Sequence, residues 1–320
     1  MTSTERLDRV LVLELVRVTE AAALAASRTV GLGDEKKADQ VAVEAMRAAL
    51  NALPIDGTVV IGEGERDKAP MLFIGEKVGT GEGPKIDIAL DPLEGTRITA
   101  KGGSNALAVV AIAAEGHLLN APDTYMEKIA IGSGYKKGLI DLDKEPAENV
   151  RNLAAAKGVS PGEITACILD RPRHDEIMRQ LREIGCRVEL ISDGDVAGAM
   201  RTALPDNNVD IYIGTGGAPE GVLAAAALQC FDGQFQARLV FQNDDEKDRA
   251  HRLGITDLDK KYDIDDLARG DVIFAATGVT DGALLKGVRK SRFGGLSTQT
   301  LVLRSASHTI RWVETDHILA

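Results

Sequence analysis

The sequence predicts a layered α/β protein. Short apolar stretches alternate along the chain with longer segments of helical periodicity, and several of these stretches end at a polar or glycine-rich turn. The composition agrees, because only 3% of the residues are aromatic while 33 of the 320 are glycine. A core of Ala, Val, Leu and Ile joined by many glycine turns favours alternating strands and helices over a β-sandwich.

The first half of the chain begins with two predicted helices and continues with short strands. The helices extend over about residues 5–28 and 38–53, and the strands over residues 58–61, 86–90 and 107–113. Glu63 follows the first strand and Asp91 follows the second. Because open α/β sheets bind ligands at the carboxyl ends of their strands, we expect these carboxylates at a functional edge.

The second half repeats one arrangement three times: a strand, a polar turn and a helix. The strands are predicted at 164–169, 187–191 and 209–213, with helices beginning near 175, 196 and 222. The remaining predictions are surface helix and loop at 242–271, a strand at 272–276 and a terminal hairpin at 298–313. We therefore predict two α/β lobes, residues 1–157 and 158–320.

The charge and the cysteines exclude several classes of protein. The chain has 38 basic and 49 acidic residues and a formal net charge of −11, whereas nucleic-acid binding calls for a basic surplus. Three widely spaced cysteines without a CxxC pair argue against a disulfide framework or a Cys-based zinc site. The sequence shows neither a membrane span nor a signal-peptide apolar region, so we predict no membrane partner and a cytoplasmic location.

The most informative chemistry lies in the hexapeptide Asp-Pro-Leu-Glu-Gly-Thr that follows the second strand. Pro92 biases Asp91 towards an extended backbone and is predicted to end the strand. Asp91 and Glu94 can then converge, and Gly95 permits a geometry that other residues resist. With the Thr96 hydroxyl, these carboxylates supply the oxygen ligands that Mg²⁺ or Mn²⁺ prefers. From spacing alone, an acidic turn that faces solvent remains an alternative.

Residues 91–96 resemble the Asp-Pro-(Ile/Leu)-(Asp/Glu)-Gly-Thr signature of the lithium-sensitive, metal-dependent phosphatase superfamily, which includes inositol monophosphatases and fructose-1,6-bisphosphatases. Further motifs, in the family's order, narrow the resemblance to the bacterial class II fructose-1,6-bisphosphatases. They are Gly-Glu-Gly-Glu-Arg-Asp at 62–67, Ala-Pro-Met-Leu at 69–72, Ala-Pro-Asp-Thr-Tyr-Met-Glu-Lys at 121–128, Arg-Pro-Arg-His at 171–174, Ser-Asp-Gly-Asp-Val at 192–196 and Gly-Gly-Ala-Pro-Glu-Gly at 216–221. The resemblance covers about residues 15–315 and implies the layered sugar-phosphatase fold, with a metal-binding lobe followed by a substrate-binding lobe.

The resemblance implies two groups of metal ligands for Mg²⁺ or Mn²⁺. Asp39 and Glu63 resemble the ligands of a first cation. Asp91, Glu94 and Glu220 resemble the ligands of a second. Without the family, Asp39 and Glu220 would be interpreted as helix-start carboxylates stabilised by the helix dipole.

The resemblance also implies catalytic and substrate-binding residues. Thr96 resembles the residue that orients or deprotonates the attacking water, and Asp67 is the carboxylate that we expect to be coupled to it. The implied substrate-binding residues are Glu94, Gly95, Thr96, Tyr125, Arg171, Pro172, Arg173, Asp193, Gly194, Asp195 and Gly217. From the residues alone, Asp195 could instead cap the following helix, and His174 is predicted to be a helix-start residue rather than a catalyst.

The implied activity is hydrolysis of the C1 phosphate of fructose 1,6-bisphosphate, in gluconeogenesis, by a homo-oligomer of two or four subunits. An enzyme that also accepts sedoheptulose 1,7-bisphosphate is the main alternative, because the two sugars share the C1 phosphate and the ketose end. A non-catalytic sugar-phosphate sensor is a second alternative, although a sensor would have no need for Thr96. The chain departs from the family at Glu35, where a lysine is usual.

Overall fold

The computed structural model describes residues 7–63, 71–205 and 207–318. The α-helices are α1 Leu11–Ser27, α2 Glu35–Asn51, α3 Thr96–Lys101, α4 Pro146–Lys157, α5 Asp175–Glu183, α6 Asp195–Met200, α7 Ala218–Phe231, α8 Asp244–Arg252 and α9 Ile264–Leu267. The strands are β1 Asp56–Ile61, β2 Lys77–Val78, β3 Lys85–Glu94, β4 Leu107–Ala114, β5 Tyr125–Ile131, β6 Thr165–Leu169, β7 Arg187–Ile191, β8 Ile211–Gly217, β9 Gln234–Val240, β10 Lys261–Asp263, β11 Ile273–Gly278, β12 Arg289–Lys290, β13 Leu296–Arg304 and β14 Thr309–His317. The α/β prediction is confirmed.

The chain forms two compact units. The first combines residues 1–119 with 269–320, and the second contains residues 120–268. The predicted lobes, 1–157 and 158–320, divide the chain differently. The difference arises because strands β11 to β14 return to the first sheet and because β5 and α4 belong to the second unit.

In its described part, the first unit holds an eight-stranded mixed sheet in the order β12-β13-β11-β4-β3-β1-β2, with β14 paired to β13. Strands β1 and β3 are parallel, so their carboxyl ends lie at the same edge. Helices α1 and α2 pack together and against this sheet. Their apolar faces are fully buried among strand residues, as at Leu15, Met46, Ile88, Val110 and Val302. Removing this apolar surface from water stabilises the unit.

The second unit holds a six-stranded sheet, counted over its described residues, in the order β10-β9-β5-β8-β6-β7. Strands β6, β7 and β8 are parallel to one another, as the three predicted strand-turn-helix repeats require, while β5 runs antiparallel to β8. Residues of α4 and α5 share one apolar core with these strands, including Leu153, Leu181, Ile129, Ile168 and Ile213. This arrangement brings the amino ends of α6 and α7 close to the carboxyl ends of the strands that precede them.

Two strands extend farther than predicted, and both differences concern the candidate site. Strand β3 does not end at Asp91-Pro92 but continues to Glu94. Strand β8 does not end at Ile213 but continues through the glycines to Gly217, because β5 pairs with it over this whole length. The structure also contains α4, β5, β9 and β10, which the sequence patterns did not predict.

The cysteines and the helices concern two predictions from the sequence: that the chain has no disulfide framework or Cys-based zinc site, and that it has no membrane span. Cys167, Cys186 and Cys230 are all buried and free. Burial raises the pKa of the Cys167 thiol to about 12, so this thiol stays protonated and unreactive at neutral pH. Among the described residues, each helix is too short or too polar to cross a lipid bilayer.

Candidate active site

A β-bulge places the two carboxylates of the hexapeptide on one face of the first sheet. Asp91 pairs with Val109 of β4, and Glu94 pairs with Leu107. Three residue steps on β3 therefore match two on β4, which is the count that defines a bulge. Because residues two apart on a strand face the same side, the extra residue turns Asp91 and Glu94 to the same side.

The bulge is held by local contacts. The Oδ1 atom of Asp91 accepts a hydrogen bond from the Leu93 backbone N–H at 3.0 Å. Pro92 is accommodated here because it lies between the two paired positions, where no ladder hydrogen bond is required of it. Glu94 is buried. The two residues therefore lie on one face within a strand rather than in the predicted turn, and the convergence of their carboxylates stays a prediction.

Gly95 and Thr96 form the junction between β3 and α3. Gly95 has a φ of 98°, in the left-handed region that favours glycine, and Thr96 is the first residue of the helix. A Cβ atom at position 95 would also lie 3.2 Å from Cδ1 of Ile98. A larger residue at position 95 would therefore change the direction in which the chain passes from β3 into α3, and with it the position of Thr96.

Asp39 and Glu63 belong to the same unit as this bulge. Asp39 lies in α2, a helix that packs on β3, and burial raises the pKa of its carboxyl group. Glu63 follows β1 by two residues and bridges to Phe73. Because β1 and β3 are parallel and adjacent, Glu63 and Asp91 emerge at the same edge of the sheet. Asp67, the predicted partner of Thr96, lies outside the described residues.

The donor chemistry of these residues fits a hard divalent cation. Asp39, Glu63, Asp91 and Glu94 are all carboxylates, the ligands that Mg²⁺ and Mn²⁺ prefer, and a nearby cation would offset the cost of burying charged Asp39. However, over residues 7–63, 71–205 and 207–318, no three His, Cys, Asp or Glu side chains are grouped closely enough to hold a metal ion. The metal-ligand assignments therefore stay predictions.

The departure from the family lies at the start of α2. Asp34 caps this helix by accepting a hydrogen bond from the Lys37 N–H at 3.0 Å. Glu35 is the first helical residue and is exposed, as are Lys36 and Lys37. An acidic residue in the first turn interacts favourably with the helix dipole, which accounts for Glu35 locally.

In the second unit, the Arg-Pro-Arg motif follows β6. The Nε and Nη2 atoms of Arg173 donate to the Thr215 carbonyl oxygen at 2.9 and 2.6 Å, and its guanidinium lies 5.0 Å from the centre of the Tyr125 ring. The Nη1 atom of Arg171 donates to the Asp170 carbonyl oxygen at 2.8 Å. The structure thus brings Tyr125 and Arg173 together, as expected of two residues in one subsite.

His174, the residue after Arg173, bonds to the two strands that flank the Arg-Pro-Arg motif. It is buried, its Nε2 accepts from the Thr215 N–H at 2.8 Å, and its Nδ1 lies 2.7 Å from the Leu169 carbonyl oxygen. Since Nε2 accepts, Nδ1 carries the proton and donates to Leu169. Burial is the largest cause that lowers the pKa of His174, so the ring is neutral near pH 7. His174 occupies the N-cap position at the start of α5, as predicted, while its ring bonds to Leu169 of β6 and to Thr215 of β8.

The Asp-Gly-Asp motif forms the start of α6. Gly194 has a φ of 84° and precedes the first helical residue, Asp195. The Oδ2 atom of Asp195 accepts from Lys128 Nζ at 2.5 Å and from the Tyr212 hydroxyl at 3.4 Å. Asp195 is therefore a buried ion-pair partner, a role that the sequence did not predict.

Lys128 is the residue that the sequence analysis missed. It appeared only as the last residue of the motif at 121–128, and β5 was not predicted, so nothing in the sequence indicated that this lysine is buried.

Glu220 lies in the first turn of α7, close to the end of β8. Burial and the neighbouring charge of Asp195 raise the pKa of Glu220 to about 7, and the ammonium of Lys128 opposes this shift. Gly217 ends β8 opposite Tyr125 and leaves the space that the Glu220 carboxylate occupies, because a Cβ atom there would lie 2.0 Å from its Oε2. Six of the predicted residues therefore gather at adjacent strand ends of the second unit: Tyr125, Arg171, Arg173, Asp195, Gly217 and Glu220.

Comparison with known proteins identifies the family. A family model described as bacterial fructose-1,6-bisphosphatase, glpX-encoded, matches residues 9–317. The chain belongs to this family. The class 2 fructose-1,6-bisphosphatases of Escherichia coli K12 and Shigella flexneri are each 49% identical to it over 325 residues, covering 97% of this chain and 96% of the relative. The class 2 fructose-1,6-bisphosphatase of Haemophilus influenzae is 45% identical over 328 residues, covering 98% and 97%. The predicted resemblance to the bacterial class 2 fructose-1,6-bisphosphatases is confirmed.

Proposed function

We propose that this chain hydrolyses the C1 phosphate of fructose 1,6-bisphosphate to give fructose 6-phosphate and inorganic phosphate, as a step of gluconeogenesis. The single observation that carries the proposal is membership of the family over nearly the whole chain, at 45–49% identity to class 2 fructose-1,6-bisphosphatases. The carboxylates of the first unit and the arginines of the second unit support the proposal.

The second unit supplies groups suited to a sugar bisphosphate. The planar guanidinium of Arg173 is fixed by two bonds to Thr215, and its stacking on Tyr125 leaves a donor edge for phosphate oxygens. Arg171 lies two residues away and adds a second positive charge. We assign these arginines to the phosphate that is not cleaved.

The first unit supplies groups suited to the cleavage. Asp39, Glu63, Asp91 and Glu94 would hold Mg²⁺ or Mn²⁺. Glu220, a residue of the second unit, stays a proposed ligand, as the resemblance implies. When bound, such a cation lowers the pKa of a water molecule and neutralises charge on the phosphate. Thr96, at the amino end of α3, would orient the attacking water through its hydroxyl group. Because a threonine hydroxyl is a weak base, its proton needs a carboxylate acceptor, for which Asp67 remains the proposal.

A substrate panel tests the proposal. The purified chain is assayed with fructose 1,6-bisphosphate, sedoheptulose 1,7-bisphosphate and inositol monophosphate, in Mg²⁺ and in Mn²⁺, with a chelator as the control, and inorganic phosphate is measured. We expect metal-dependent release from fructose 1,6-bisphosphate. Equal release from the seven-carbon sugar would establish a dual enzyme, and binding of fructose 1,6-bisphosphate without release would establish a sensor and refute hydrolysis.

We further propose that the enzyme is a cytoplasmic homo-oligomer, a dimer or a tetramer. The three free, buried cysteines support a reducing compartment. Light scattering of the purified chain would give the number of subunits, and a monomeric mass at assay concentration would contradict this assignment.

A further inference from the structure

Lys128 is a fully buried cation in the middle of β5. Its side chain is 1% exposed, and its Nζ atom donates to Asp195 Oδ2 at 2.5 Å and to the Gly217 carbonyl oxygen at 2.7 Å. Lysine normally keeps its amine in water, and burying the charge is costly unless strong partners replace the lost hydration. A buried lysine at position 128 therefore requires an explanation other than core packing.

The two partners of Lys128 come from different elements of the second unit. Asp195 begins α6, and Gly217 ends β8, so one ammonium group ties together β5, α6 and β8 at the strand ends. Asp195 and Gly217 are both among the residues that the family resemblance implies for substrate binding. Lys128 thus contacts two members of the proposed subsite, while its own charge stays out of solvent.

The surrounding backbone is shaped around this ion pair. A Cβ atom on Gly216 would lie 2.1 Å from Asp195 Oδ2 and 3.0 Å from Lys128 Nζ, so only glycine leaves room for the pair. The hydroxyl of Tyr212, itself fully buried, points at the same Asp195 oxygen. A glycine and a buried tyrosine therefore fit closely around one lysine-carboxylate contact.

We propose that Lys128 is a positioning residue for the sugar-phosphate subsite of this enzyme. Its ammonium holds the Asp195 carboxylate and the Gly217 carbonyl in the geometry that the substrate meets. The inference rests on the proposed function and adds a residue that acts through Asp195 and Gly217 without touching the substrate. Loss of the ammonium should let both groups relax, and a displacement of about 1 Å in a binding group costs on the order of 100-fold in rate.

The test compares Lys128→Met with a matched loss of another buried cation. Methionine has a similar length and no charge. Arg201 is the control. It is also buried in the second unit, but it follows the carboxyl end of α6, where it pairs with Glu189 and Asn207. We expect Lys128→Met to lower kcat/KM for fructose 1,6-bisphosphate by about 100-fold with a raised KM, and Arg201→Met to change it by less than about threefold. Thermal unfolding of both variants shows whether each is folded at the assay temperature.

A double-mutant cycle separates positioning from general destabilisation. If Lys128 acts through Asp195, the variant Lys128→Met/Asp195→Asn loses no more activity than the more impaired single variant. Multiplied losses, or a Lys128→Met enzyme with unchanged kcat and KM, would overturn the inference. So would equal effects of Lys128→Met and Arg201→Met on KM. The wild-type chain measured alongside distinguishes the two proposals, because absence of phosphate release from the wild type would refute the proposed function itself.

Discussion

Replacing Gly217 by alanine would place a single methyl group against the Glu220 carboxylate. Gly217 has φ −67° and ψ 145°, an ordinary extended backbone, so alanine adds no backbone strain. Its Cβ atom would lie 2.0 Å from Oε2 and 2.8 Å from Cδ of Glu220. Since non-bonded heavy atoms settle near ~3.5 Å, the carboxylate must retreat by more than about 1 Å.

This displacement should affect turnover far more than folding. The obstructed atoms are the far end of a flexible side chain, so the fold can accommodate the methyl group. A proposed metal ligand moved by about 1 Å should lower kcat/KM by about 100-fold. The assay measures inorganic phosphate release from fructose 1,6-bisphosphate across Mg²⁺ and Mn²⁺ concentrations, together with thermal unfolding.

Gly162→Ala is the matched control. The same added methyl group at Gly162 would lie 3.5 Å from the Gly185 carbonyl oxygen and 3.8 Å from Ser160 Oγ, which are ordinary contacts. We expect its activity and its unfolding temperature to match the wild type. A Gly217→Ala enzyme with kcat/KM within about threefold of the wild type would refute the reasoning, because the position of Glu220 would then not limit turnover.

Three further substitutions test other parts of the structure. Asp91→Asn keeps an oxygen to accept the Leu93 N–H but removes the charge, so phosphate release should fall at least about 100-fold with little change in unfolding temperature; near-normal release would refute the ligand role. His174→Gln should reduce the acid sensitivity of the fold. Because the pKa of His174 is lowered in the folded state, the unfolded chain binds a proton first as the pH falls below about 6.5, and the unfolding free energy of the wild type drops there more than that of the variant. Denaturant titrations at several pH values measure this difference, and parallel curves of unfolding free energy against pH would contradict it. Arg304→Met leaves the fully buried Asp271 without its ion-pair partner and should lower the unfolding free energy by about 3–5 kcal/mol; a loss below about 1 kcal/mol in urea would show that the pair is dispensable.

The sequence predicted the regular elements where periodicity was unbroken. The terminal hairpin, α5 and the strands β6 and β7 of the second unit lie close to their predicted bounds. At Asp91-Pro92 the rule that proline ends a strand was wrong, because the bulge gives Pro92 a position that needs no ladder bond. At β8 the glycines indicated a turn, yet pairing with β5 keeps them extended. Both misses depend on a partner strand that local sequence does not specify.

Prediction of the candidate site was limited in the same way, because local sequence does not specify contacts between distant residues. Motif resemblance selected Tyr125, Arg173 and Asp195, and the structure places them near one another in the second unit. It did not select Lys128, because a lysine within a motif carries no sign of burial until its partners are known. Nor did it indicate that Asp195 would use one carboxylate oxygen inside the protein. Such contacts join residues 67 positions apart, and periodicity within a single element cannot reveal them.

The insertion of residues 120–268 between two adjacent strands has a consequence for synthesis of the chain. Strands β4 and β11 pair directly, although the whole second unit separates them in sequence. As a ribosome releases the polypeptide, β4 therefore presents an open edge until β11, residues 273–278 of the 320, emerges. Open edges invite mispairing, so we expect the inserted unit to reach its native state first and the surrounding one to close last, with chaperones most needed in that interval.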